Sequence, residues 1–364
     1  MKFQGYLTHI GISILLVTTV QGGASANYRV CTTSGMQDVP STVQVAMESD
    51  AQNVERQASD ESISGGVPTL GSSVRSMVTD AQGYLYAANS SSQKIQKYDS
   101  SGKLVKGWQL RKTGEGTGVM PIAIAISPDQ SIYVGYAEGI VQKYDHDGKF
   151  ILEWKSAKEK GESQSSLAVD CTGNIYVCMG FTPYVRKFSA DGKLLSEIVV
   201  HNANDSPLMC TGIAIGMDNK LYVSAITDDG QTIEKCDLSG KVLLSWTPTS
   251  DGTMGVGLVS ALAVDKGSNV YIGLVIGKTS VSDKANISID TDSPRLIQKY
   301  DSNGKAITQW KLLNLQKGEA LDIGSICVGS NSSVYVAIGG MMSATRIRKF
   351  ESTGKFLAGW LVEQ

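Results

Sequence analysis

Short runs of alternating apolar and polar residues recur along most of this chain. Each run is bounded by Gly, Ser, Asn or Asp. The clearest is an aliphatic residue followed by tyrosine: Tyr84-Leu-Tyr86, Ser131-Ile-Tyr133, Asn174-Ile-Tyr176, Lys220-Leu-Tyr222, Asn269-Val-Tyr271 and Ser333-Val-Tyr335. That pattern predicts a half-buried strand. A second run follows each time: Ile95-Gln-Lys-Tyr-Asp99, Val141-Gln-Lys-Tyr-Asp145, Val185-Arg-Lys-Phe-Ser189, Ile233-Glu-Lys-Cys-Asp237, Ile297-Gln-Lys-Tyr-Asp301 and Ile347-Arg-Lys-Phe-Glu351. A Gly-Lys pair ends the turn after each of these. Glycine suits it because a tight hairpin needs positive φ there, and an Asp or Ser before the turn can bond the backbone two residues on. All five tryptophans sit six residues after the glycine of such a pair: Trp108, Trp154, Trp246, Trp310 and Trp360. After Gly192-Lys193 the matching position is Ile198.

A preceding strand completes the unit and is built differently. It reads Ile122-Ala-Ile-Ala-Ile126, Leu167-Ala-Val169, Ile213-Ala-Ile215, Leu262-Ala-Val264 and Ile326-Cys-Val328. Small residues on the first strand and Trp on the fourth suit sheets arranged radially. Such sheets crowd at the axis and splay outward, so the outer gaps need bulky filler. A repeat of roughly 40 to 50 residues fits that geometry. The expectation is an all-β, six-bladed β-propeller of four-stranded antiparallel blades over 74–364, with no strand shared between its ends.

In combination these motifs resemble the NHL-repeat family. The residues carrying the resemblance are a hydrophobic-Ala-Val-Asp first strand, Asn-hydrophobic-Tyr-Val, hydrophobic-Gln-Lys-Tyr-Asp, and Asp-Gly-Lys followed by Trp. Ile198, Cys236, Ser127, Gly216 and Gly329 depart from the pattern. The resemblance implies a propeller. It also brings three functional precedents: histidine-based metal lyases, RNA-binding propellers, and protein-interaction modules of ubiquitin-ligase type.

Composition narrows these. A net charge of -2 and a pI near 6.0 argue against a nucleic-acid partner. Lys2, the apolar run Ile10 to Val20 and Ala24-Ser25-Ala26 read as a cleavable export signal over 1–26. The run is too short to span a bilayer, for which roughly 20 residues are needed. A secreted or periplasmic monomer with no membrane span after cleavage is expected. Residues 27–73 read as a polar, unstructured linker. Cysteine spacing matches no zinc motif. Cys178 ends one strand and Cys210 begins the next blade, so a Cys178–Cys210 disulfide is expected, with Cys327 a buried free thiol. Asn89, Asn286 and Asn331 lie in glycosylation sequons.

Strand alternation puts the links between second and third strands, and between blades, on one face. That face carries the length variation: 109–120, 155–165, 199–210, 247–260 and 311–323, with an insertion over 277–295. Long loops on a rigid scaffold are the usual place for binding. The expected ligand face bears Glu138, His201, Asp205, Asp228, Asp251 and Asp322, with Asp229 and Glu319 nearby. No catalytic set is assembled. His146 and His201 fall on opposite faces, and no nucleophile-elbow, HExxH or P-loop motif is present. Converging carboxylates would suit Ca²⁺, as in gluconolactonase-like propellers, but show no fixed spacing; no cofactor is otherwise expected. The recurrent lysines, Lys97 to Lys349, read as snorkelling surface residues. The leading expectation is a non-enzymatic binding propeller taking a protein, glycan or small ligand. The alternatives are a Ca²⁺-dependent lactonase- or lyase-like enzyme and an isolated ubiquitin-ligase-type interaction module.

Overall fold

The computed structural model describes residues 74–112, 120–159, 162–202, 204–227, 230–248, 255–280, 283–288, 295–312, 322–339 and 345–363, together with the two-residue strands Ile12–Ser13, Cys31–Thr32 and Gly35–Met36. The export signal and linker readings therefore lie almost wholly outside the described residues. The short strands pair with one another antiparallel.

Six antiparallel sheets follow in chain order, forming a six-bladed propeller, and no helix occurs among the described residues. Blade 1 holds Val74–Thr79, Leu85–Asn89, Lys94–Tyr98 and Leu104–Gln109; blade 6 holds Asp322–Val328, Val334–Gly339, Arg346–Phe350 and Phe356–Leu361. Each blade is a four-strand meander except blade 5. There, Val270–Ser280 runs long and Asp283–Ser288 pairs back on it, so the insertion extends the sheet instead of lying as a solvated loop. First strands line the axis and fourth strands form the rim.

Blade-to-blade packing explains the Gly-Lys-Trp repeat. Each tryptophan lies on the Gly-Lys glycine of the next blade. A Cβ on Gly148 would meet Trp108 at 2.5 Å, and one on Gly102 would meet Trp360 at 2.5 Å. Gly192, Gly304 and Gly354 stand likewise against Trp154, Trp246 and Trp310. These glycines also have positive φ, 81° at Gly148. The glycine is therefore required twice, once by the turn and once by the indole. Each Trp except Trp108 further meets the third-strand aromatic of the next blade: Trp154–Phe188, Trp246–Tyr300, Trp310–Phe350 and Trp360–Tyr98, about 6 Å between centroids. Ile198 and Cys236, separate departures in sequence, belong to one cluster at the blade 3–4 interface, with Ile198 against Gly240. The smaller pair is accompanied there by Val200, Leu208, Cys178 and Cys210.

The ring closes by side-chain and main-chain contacts between blades 6 and 1. Ser325 Oγ accepts from Met77 N at 2.9 Å, Thr79 Oγ1 donates to Val328 O at 3.2 Å, and Gln96 Nε2 donates to Glu363 O at 2.6 Å. Equivalent latches recur elsewhere: Ser76 Oγ accepts from Ile124 N, and Ser166 Oγ from Ile213 N. Third-strand polar residues also reach back to the chain leaving the preceding blade, Gln142 to Arg111 O and Arg186 to Ser156 O.

The recurrent lysines do more than snorkel. Each ammonium lies over the second-strand tyrosine of its own blade, from 4.9 Å for Lys97 on Tyr86 to 5.6 Å for Lys349 on Tyr335. Lys143, Lys235 and Lys349 donate to backbone carbonyls of the next blade's hairpin, at Ala190, Ser302 and Ser100. Asp218 joins Lys235 (2.8 Å) and the Tyr222 hydroxyl (2.9 Å). Burial alone would raise the Asp218 carboxyl, but these donors outweigh it and hold it below the usual range.

Candidate functional site

A channel of about 320 Å³ runs along the axis, lined by the first strands of all six blades. Each of those strands carries a β-bulge at its second or equivalent residue, where the ladder register shifts. The bulged residues are Arg75, Ile122, Ser165, Thr211, Ser260 and Gly324. A bulge leaves its extra residue out of the ladder and re-aims the side chain. All six line the channel. Because first strands begin on the loop-rich face, this ring sits near the mouth on that side.

Arg75 is the only charged residue lining the channel among the described residues. It is exposed and makes no ion pair or hydrogen bond with a described residue. Its neighbours in the ring are Ile122 and Gly324. Glycine is required at 324 because the Val74 carbonyl of blade 1 stands 2.4 Å from where a Cβ would be. The hydroxyls belong to blades 3, 4 and 5, across the axis. Ser165 Oγ donates to Cys178 Sγ at 3.2 Å, Thr211 Oγ1 to Ser224 O at 3.1 Å, and Ser260 Oγ to Gly273 O at 3.2 Å.

The expected ligand-face residues are spread around the rim. Glu138 is exposed in the second turn of blade 2, and His201 and Asp205 belong to the link between blades 3 and 4. Asp322 opens blade 6 and pairs with Arg295 at 3.6 Å. No contact joins Glu138, His201, Asp205 and Asp322 to one another. Asp228, Asp229, Asp251 and Glu319 lie outside the described residues. Among the described residues no three His, Cys, Asp or Glu side chains stand close enough to share a metal ion. His146 lies on the other face, against Asp147 at 3.2 Å.

The Cys178–Cys210 disulfide is not formed. Both thiols are free and buried. They are neighbours, and the Cys210 thiol is pushed up first by its hydrogen bond with Cys178 and then by burial. Ser165 and the Leu208 carbonyl also contact these sulfurs, so both are held as thiols in a polar-capped cluster. Burial pushes the Cys236 thiol up to about 12, and Cys327 is a buried free thiol. Asn89 is unsuited to glycosylation: its side chain is buried and its Oδ1 accepts from Ser91 N and Ser92 N.

The loop-rich face also carries a strained aromatic. Phe181 is 52% exposed yet has φ of 57°, a conformation that bulky residues rarely adopt. It is held by Phe181 N donating to Cys210 O at 3.1 Å and Cys210 N donating to Thr182 O at 2.9 Å. Tyr184, also exposed, follows on the same rim. Neither was distinguished by sequence pattern; the only signal was an aromatic inside a turn.

Near the same face, Arg186 is buried and holds Glu162 bidentately (2.7 and 2.8 Å) and Glu197 (2.7 Å). The Arg186 guanidinium brings the Glu162 carboxyl down to about 2.

No protein-family model matches the chain, and no curated protein sequence matches it. Solved structures do. Streptogramin B lyase is similar at a TM-score of 0.50 and 14% identity, over 78% of this chain and 95% of that one. The RRP9 WD40 repeats are similar at 0.50 and 11% identity, over 82% of each. At these identities the likeness shows the propeller fold alone. No helix among the described residues is long and apolar enough to cross a membrane.

Proposed function

We propose that this protein is an exported, non-enzymatic binding propeller, with blades of NHL type, whose loop-rich face takes a protein, glycan or small ligand. The observation that carries this reading is Phe181. An exposed bulky ring held at positive φ by the surrounding main chain costs on the order of 1–3 kcal/mol, and such strain clusters at functional sites. The scattered rim carboxylates fit a contact surface better than an assembled catalytic centre. WD40 repeats and a lyase share the fold, so the fold is compatible with either class.

Site-specific photo-crosslinking tests this. A photoreactive phenylalanine analogue is placed at Phe181 or, on the outer rim, at Val105. The protein is then irradiated with the extracellular fraction of its source. A discrete adduct at 181 and none at 105 supports the loop-face reading. Equal labelling at both, or none at either, sinks it. A thermal shift on adding Ca²⁺ after EDTA would instead favour the metal-dependent hydrolase or lyase reading.

A further inference from the structure

The bulge ring makes the channel mouth two-sided. In a ring of six blades, blade 1 faces blade 4, with blades 3 and 5 beside it. Arg75 therefore stands on one wall, and Ser165, Thr211 and Ser260 line the other. Gly324 and Ile122 flank Arg75 and bring no polar side chain that could neutralise it. No carboxylate lines this channel among the described residues.

The two walls ask for different chemistry. An arginine fork with no partner among the described residues can bind a carboxylate through two parallel hydrogen bonds. The opposite hydroxyls already donate their protons to Cys178 Sγ, Ser224 O and Gly273 O. What they retain for a ligand is lone pairs, because a hydroxyl has one proton and two acceptor sites. They need a ligand that donates. Sulfate brings charge without donors, and a neutral sugar brings donors without charge. The channel as a whole, at about 320 Å³, is at the small end of ligand pockets, so only a small ligand fits its mouth.

We infer that the mouth of the axial channel binds a monosaccharide-sized hydroxy acid, such as a hexuronate, with its carboxylate on Arg75 and its hydroxyls on Ser165, Thr211 and Ser260. This rests on the reading of the loop-rich face as a binding face and names a ligand class for its centre. A cation that is the one charge lining the channel among the described residues also draws anions inward, more strongly at low salt.

The test is isothermal titration of the purified protein with galacturonate, galactose and sodium sulfate. It is run on wild type and on the Arg75→Gln, Arg75→Lys and Thr211→Val variants. Galacturonate should bind saturably, galactose at least about tenfold more weakly, and excess sulfate should not displace it. Arg75→Gln should weaken galacturonate by about tenfold or more, with Arg75→Lys between, as expected when a bidentate charged contact is lost. Unchanged thermal midpoints confirm that the variants fold. Thr211→Val should weaken both sugars, since it removes a lone pair and leaves the charge. No saturable galacturonate signal, an unaffected Arg75→Gln variant, or sulfate competing on equal terms would each overturn the inference. If titration fails while crosslinking at 181 succeeds, the face binds but the channel does not. If crosslinking alone fails, the channel site stands and the rim reading falls.

Discussion

At the scale of single residues, the Gly-Lys-Trp repeat is a contact between blades written into each blade. Adding a methyl at Gly148 both strains a φ of 81° and drives a Cβ into Trp108. Gly148→Ala should therefore cost about 2–3 kcal/mol in urea unfolding, more than overpacking alone at its low end. Gly173 has a φ of 83° with nothing within 4 Å of its missing Cβ. Gly173→Ala should cost about 1 kcal/mol, the backbone part by itself. Equal losses at the two sites would refute the double requirement. The indoles carry a cost of their own. All five Trp Nε1 atoms are buried with no hydrogen-bond partner, and an unmet buried donor costs about 1–3 kcal/mol. Trp246→Phe should thus lose far less stability than Trp246→Ala, for which about 3–5 kcal/mol is expected, because it removes the orphan N–H along with some packing.

At the scale of elements, the link into blade 3 is tied to its third strand by one arginine. Arg186 bonds Glu162, Glu197 and the Ser156 carbonyl. The folded Glu162 carboxyl, lowered from 4.5 to about 2 mainly by its hydrogen bond from Arg186, binds protons less readily than in the unfolded chain. Its contribution is present above pH 4.5 and is lost as pH falls from there toward 2. Urea midpoints should fall across that window, and Glu162→Gln should flatten the slope while being less stable at pH 7. A Glu162→Gln profile parallel to wild type would show that the pair contributes nothing through ionisation. Hydrogen-bonded Asp-x-x-Gly-Lys hairpins on the opposite face show what was legible at this scale. Asp99, Asp145, Asp237 and Asp301 each accept from backbone two and four residues on. The turn chemistry was read from local spacing because it is local. The bulges were not, since nothing in Val-Arg-Ser or Ser-Ser-Leu distinguishes a bulged strand from a regular one.

At the scale of the whole molecule, closure is a matter of repeated interfaces and not of a shared strand. The blade 6–1 contact uses the same serine latch and Trp-on-Gly packing as the others. A circular permutant that joins residues 363 and 74 and opens the chain in the 249–254 link should therefore fold to the same far-UV signal, with a cooperative transition near that of wild type. Opening between blades 3 and 4 should be tolerated less, because Val200 N donates to Pro183 O and Leu208 N to Val200 O, which knits that link to the blade. A melted permutant at 249–254 would show that the termini hold the ring together in some further way. On metal, EDTA followed by excess Ca²⁺ should leave the thermal midpoint unmoved. A site filled at 100 times its dissociation constant would add about 2.7 kcal/mol, a rise that calorimetry would register.

Strand order, hairpin turns and blade count were legible in the chain alone, because they follow from patterns of period two and from turn residues within each unit. The chain also placed the loop-rich face, since strand alternation alone assigns loops to faces. Tertiary structure decided how neighbouring units meet. That Trp108 needs Gly148, that Ile198 and Cys236 are one change and not two, and that Cys178 and Cys210 remain thiols all depend on residues brought together across blades. Arg75 shows the difference most plainly. In the chain it is one charge at the start of a strand; in the ring it stands across the axis from Ser165, Thr211 and Ser260, because six strands converge on one axis and, among the described residues, Arg75 alone brings a charge into the channel.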